Sequence, residues 1–87
     1  MQLKTFMKLS GELTLEQMLE KLRAVAEPGE LDKLVASTVG RHSIGENFPN
    51  ARLQDLYDRA SGGAVKAQDW VDLAREVRQQ KQEGEAA

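Results

Sequence analysis

The stretch "ELTLEQMLEKLRAV", residues 12–25, decides the fold class. Thr14 can cap a helix through its hydroxyl, and Gln17, three residues on, can return a side-chain bond to the Thr14 amide. Leu13 before this capping box and Met18 after it stand where a hydrophobic staple forms. Leu15, Met18, Leu19, Leu22, Val25 and Ala26 then recur at helical spacing along one face, while Glu16, Glu20, Lys21 and Arg23 keep the other face wet. Pro28-Gly29 ends the run, because proline has no amide for the helical ladder and glycine accepts turn dihedrals. The apolar stripe has to be covered, and the remaining segments read as further helices able to cover it.

Toward the N-terminus, "MQLKTFMKL" (1–9) fits either a short helix or an extended arm, closed by Ser10-Gly11. On the other side, the spacing of Leu31, Leu34, Val35 and Val39 predicts a helix over 30–39, with Gly40 just past its end. "RHSIGENFPN" (41–50) reads as the longest irregular stretch inside the domain, pinned to the core by Ile44 and Phe48. Asn50 is placed to cap a helix carrying Leu53, Leu56, Tyr57 and Ala60, which Ser61-Gly62-Gly63 stops. A last helix over 65–80 sets Val65, Trp70, Leu73, Ala74 and Val77 on one face. The expectation is a small all-α single domain of three to four short helices over 1–80, followed by a flexible, frayed polar tail at 81–87.

Composition narrows the function. At 87 residues the chain makes one domain, and a domain this small buries only about 60% of its unfolded surface. A partner, or a second copy in a homodimer, could supply the missing burial. With 40% hydrophobic and 30% charged residues, the chain is too apolar for disorder and too polar for a membrane protein. Net charge is −2, and the signs are mixed: residues 1–40 hold five Lys or Arg against six acids, residues 41–87 seven against eight. Neither half offers a basic patch, so direct nucleic-acid binding is not expected. Cysteine is absent, which removes disulfides, thiolate catalysis and cysteine-ligated zinc. No apolar run approaches the roughly 18 residues of a membrane span, and the first residues lack the apolar core of a secretion signal. The expected location is the cytoplasm, away from any membrane.

The chemistry-bearing residues read as structural. His42, the one histidine, beside Arg41 in a glycine-containing loop, could act as a general base, but without a nucleophile of recognisable context it reads as a surface or loop residue. Asp55, Asp58, Asp69 and Asp72 form i, i+3 pairs that could ligate a divalent metal across facing helices. The Glu-x-x-His pattern of such sites is missing, and the pairs read as solvated faces. Glycines 40, 45, 62 and 63 do not have phosphate-loop spacing. Trp70 and Tyr57 are the largest candidate core fillers. No enzyme activity, cofactor or metal is expected. A helix-turn-helix built from the last two helices, with Lys66, Arg75 and Arg78 on the second, stays open. It is weakened by Asp69, Asp72 and Glu76 on that same helix.

Two segments carry a resemblance. "FMKLSGELTLEQML" (6–19) resembles the start of the haemolysin-expression-modulating family (Hha/YmoA), with Met7, Lys8, Leu9, Thr14, Leu15, Glu16 and Met18 in step with the family's pattern. "TLEQMLEKLRAV" is similar to a helix in the oligomerisation domain of the nucleoid protein H-NS, and "RLQDL" (52–56) followed by Trp70-Val71 is similar to later family features. The segment 26–50 is longer than the family's and lacks its aromatic run, and Asn50 stands where the family has an acid that contacts H-NS. The resemblance implies a small helical protein that modulates a gene-silencing nucleoid protein by direct contact, without catalysis.

The reading is therefore a non-enzymatic protein-binding module whose contact surface is Arg41, His42, Glu46, Phe48, Asn50 and Arg52. The alternatives are a small phage or mobile-element inhibitor or adaptor that blocks a host complex, and a helix-turn-helix regulator.

Overall fold

The computed structural model describes residues 1–86, with side chains through residue 82. Five α-helices follow one another: α1 Leu3–Leu9, α2 Leu15–Val25, α3 Ala36–Ile44, α4 Ala51–Ala60 and α5 Ala67–Ala86. The all-α expectation holds, with five helices in place of three to four. The added element is α1, where the helix reading of 1–9 wins over the extended arm because Leu3 and Met7, one turn apart, are both buried.

The α2 start is as the sequence dictates. Thr14 Oγ1 accepts the Gln17 amide at 3.1 Å and Gln17 Oε1 accepts the Thr14 amide at 2.8 Å. Met18, Leu19 and Leu22 are buried, flanked by half-buried Leu15, Val25 and Ala26. α2 is covered by α3 and α4, α1 lies on α3, and α5 closes the far side against α4. The shared core also takes in Val39, Leu56, Tyr57, Val65, Trp70 and Leu73.

The segment 26–50 departs from expectation. Residues 28–33 are turns rather than the first part of a helix over 30–39, and the helix begins at Ala36 and runs past Gly40. The Glu30 carboxylate explains the turns. It accepts the Glu27 amide at 3.0 Å and holds Arg52 of α4 through both oxygens, at 2.7 and 2.9 Å. Gly40 is a packing glycine and not a stop: a Cβ there would lie 3.0 Å from Leu15 Cδ1 of α2. The stop comes at Gly45, whose φ of 77° is left-handed and whose missing Cβ would meet Val77 Cγ2 at 2.6 Å. The α3 end therefore lies against the side chains of Leu73 and Val77 of α5. Arg41–Ile44, expected to be loop, are helical. Ile44 and Phe48 do not pin the segment to the core; both are exposed, and the buried residues of the turn are Gly45 and Pro49.

α4 starts where expected, with Asn50 Oδ1 accepting the Leu53 amide at 2.9 Å. α5 starts two residues later than the sequence suggests, at Ala67 rather than Val65, because Asp69 Oδ2 accepts the Lys66 amide at 2.8 Å and fixes the first turn there. Val65 is buried in the preceding turn. The helix is 20 residues long, about 30 Å. Residues 81–86 of the expected tail continue α5, and residue 87 lies outside the described residues.

Candidate functional site

The two faces of α3 divide the candidate residues. Val39 and His42, three apart, point inward; Arg41 and Ile44, also three apart, point outward. This corrects the surface reading of His42, which is 2% exposed. Its Nδ1 lies 2.8 Å from the Tyr57 hydroxyl, a buried bond between α3 and α4. Trp70 of α5 completes the cluster, 5.1 Å from the Tyr57 ring and 6.4 Å from the His42 ring between centroids. Burial lowers the His42 pKa from its ordinary value and raises that of Tyr57, because each charged form would have to leave water. Both groups are therefore neutral near pH 7. The Trp70 indole N–H is buried and has no acceptor among the described residues.

The His42 ring nitrogen faces a phenol whose proton is held more tightly than in water, and the two rings meet edge to face at 5.8 Å between centroids. Three of the four aspartates considered as metal ligands are engaged with other groups. Asp55 takes Arg52 at 3.4 Å and Arg59 at 3.1 Å. Asp69 takes the Met1 ammonium at 2.7 Å, and Asp72 accepts from Gln68 at 3.0 Å. Among the described residues no group of three or more His, Cys, Asp or Glu side chains converges on a point, and no helix is long and apolar enough to cross a membrane.

The other predicted surface residues separate by what they already hold. Asn50 is exposed but its oxygen caps α4. Arg52 is exposed at its edge, with its guanidinium engaged by Glu30 and Asp55. That charge-assisted pairing holds the Glu30 carboxyl down at about 2, with the Arg52 hydrogen bond the largest cause and the Glu27 amide the next. Arg41, Glu46 and Phe48 remain at the surface around the Gly45 corner, and Ile44 joins them. The corner is well tied: the Gly45 amide donates to the His42 carbonyl at 3.3 Å and the Glu46 amide to the Arg41 carbonyl at 3.0 Å.

Sequence reasoning missed Ile44 as a surface residue and missed the groove beside it. One depression, of about 290 Å³, lies along α1 and the α1–α2 turn, with Lys4, Met7, Lys8, Leu13 and Ser43 among its walls. A second, of about 320 Å³, lies between α1, α3 and α5 and is walled in part by Lys4, Ser43, Ile44, Leu73 and Val77. Lys4 and Ser43 belong to both, so the two adjoin. The signal was present as Lys4 and Lys8, one turn apart on the α1 face next to Leu3 and Met7, but it means nothing until α1 is set against α3.

Comparison of the chain with protein-family models, with curated proteins and with solved structures gives no match.

Proposed function

We propose that this chain is a non-enzymatic protein-binding module of the cytoplasm whose partner is a nucleoid gene-silencing protein. The observation that carries the protein-binding reading is the pair Ile44 and Phe48, 49% and 40% exposed on the two sides of the Gly45 corner. Arg41 and Glu46, also exposed, are close to them in the chain, so this segment offers apolar side chains beside charged ones, the composition of a binding patch. The corner is pre-ordered by its own amide bonds and by the close approach of Gly45 to Val77, so little ordering entropy is lost when a partner docks. The silencing protein as partner rests on the resemblance of residues 6–19 and 52–56. Since Asn50 is neutral and occupied in capping α4, the apolar corner takes the role that the family gives to an acid there.

The test uses the purified chain and the purified oligomerisation domain of an H-NS-type protein, with light scattering for mass and titration calorimetry for affinity. A complex is expected, and Ile44→Glu and Phe48→Glu each weaken it about tenfold or more with helix content unchanged. No complex at concentrations of hundreds of micromolar rejects the partner, and a complex indifferent to both substitutions rejects the surface.

A further inference from the structure

We propose that α5 is a proton-gated flap: it lifts from α3 and α4 while the body formed by α1–α4 stays folded, and the lifting takes up one proton, at His42. Three features make α5 the detachable element. Its large apolar anchors are Trp70, Leu73 and half-buried Val77, and every side chain from Arg78 to Gln82 is exposed. The rest of the molecule keeps a core of its own, with Met18, Leu19 and Leu22 of α2 covered by α3 and α4 rather than by α5. Gly62 and Gly63 precede α5 at φ of 64° and 88°, and a Cβ on either would meet nothing nearer than 3.8 Å. These glycines therefore serve the backbone and not packing, as a hinge requires.

The seam that α5 covers has no place for a positive charge. His42 is buried, with Tyr57 of α4 edge to face on it and Trp70 of α5 at 6.4 Å between centroids. Tyr57 is the one titratable group bonded to the ring, and it is a neutral phenol. Trp70 brings only an N–H donor, which cannot accept from an imidazolium. Asp69, its neighbour on α5, is held by the Met1 ammonium and the Lys66 amide. The ionisable side chains of α1 and α2 (Lys4, Lys8, Glu16, Glu20, Lys21 and Arg23) are exposed, and so is Arg41 on α3 itself. Burial, with no charged neighbour, is what makes the ring resist a proton. Lifting α5 takes Trp70 off the ring and lets water reach it, where it titrates at its ordinary 6.5. Below that value the open form gains a proton that the closed form lacks. Its population then rises by as much as about tenfold per pH unit, until the closed form is protonated too.

Native-state hydrogen exchange of the full chain tests this, followed by NMR from pH 8 to pH 5 and corrected for the intrinsic pH dependence of exchange. A helix without tertiary packing is marginal in water, so a lifted α5 loses its amide protection. The Leu73, Ala74 and Val77 amides and the Trp70 indole N–H are expected to exchange through one opening. It should be at least about tenfold more populated than the opening that exposes the Met18, Leu19 and Leu22 amides. It should grow below pH 6.5 in the unaltered chain and stay level in His42→Gln. Amides of α5 that open only together with those of α2 overturn the proposal in favour of global unfolding. A separate α5 opening that ignores pH, or one whose pH dependence survives in His42→Gln, overturns it as well. Where His42→Gln does not fold, the His42 ring signals of the unaltered chain decide: a midpoint below 6.5 is expected, and one at or above 6.5 rejects the proton uptake.

Discussion

Two polar contacts of nearly equal length tie the middle of this chain together, and they differ in nearly everything else. His42 and Tyr57 meet at 2.8 Å in the core, walled by Trp70. Glu30 and Arg52 meet at 2.7 and 2.9 Å on the surface, extended by Asp55 and Arg59. The surface pair is charged and bidentate, yet water competes for it and salt screens it. The buried pair is neutral, but each partner would be stranded without the other, so its loss costs more. Strength in isolation does not rank these contacts; the alternative available to each group on breaking does.

The largest way to break the contrast is to remove the wall of the buried pair. Trp70→Ala is expected to cost about 3–5 kcal/mol, since it empties a large core site between α4 and α5. Urea unfolding followed by far-ultraviolet circular dichroism measures this, and a domain this small is expected to be largely unfolded as a result. Next, Tyr57→Phe keeps the ring and removes only the hydroxyl, leaving His42 Nδ1 buried and unpaired, for an expected loss of about 1–3 kcal/mol. A loss of a few tenths would mean that the bond is no stronger than the surface one, and the contrast would fail.

Acid separates the two contacts without mutation. His42 is held neutral by burial, so below its ordinary value of 6.5 the unfolded chain takes up a proton that the folded chain resists. Stability is therefore full above that value and falls as pH drops below it. His42→Gln flattens this part of the profile. Glu30 is likewise held deprotonated, but in its charged form and in a lower pH range. Its folded pKa of about 2 lies below the ordinary carboxylate value of 4.5, so its contribution is present above that value and is lost as pH falls from there toward about 2. Unfolding midpoints measured from pH 8 to pH 2 should show two separate declines, the upper removed by His42→Gln and the lower reduced by Glu30→Gln, with Asp69 supplying the rest.

The smallest effect is Glu30→Gln at neutral pH. Its expected mark is local: faster hydrogen exchange at the Glu27 amide and through the turns of 28–33, an effect that high salt reproduces in the unaltered chain. Global unfolding of Glu30→Gln should move less than that of Tyr57→Phe. A larger shift would reverse the ranking of the two contacts.

How much was legible in the sequence varies along the chain. α2 and α4 were fully readable, because Thr14–Gln17 and Asn50 are caps whose partners lie within three residues, and their stripes are regular. The segment 26–50 was not. Leu31, Leu34, Val35 and Val39 have helical spacing, but the Glu30 carboxylate is held by Arg52, 22 residues away, and no local pattern contains that bond. Gly40 and Gly45 look alike on paper. One lets α2 approach and the other ends α3, and only the position of Leu15 and Val77 tells them apart. The candidate surface shared this difficulty. His42 sits among polar neighbours in sequence, and a single helical turn is enough to send it inward while Arg41 and Ile44 face water.

What the sequence alone determined is whatever closes within a turn or two: an all-α chain, the starts of α2 and α4, the glycine stops after α4, and the aromatic residues Tyr57 and Trp70 as core. Caps and stripes act over three or four residues, so their energy is set before the chain is compact. The tertiary structure decided which apolar residues were left outside, what His42 bonds to, and where depressions open beside α1. These depend on desolvation and on contacts between distant segments. Neither exists until the helices have packed.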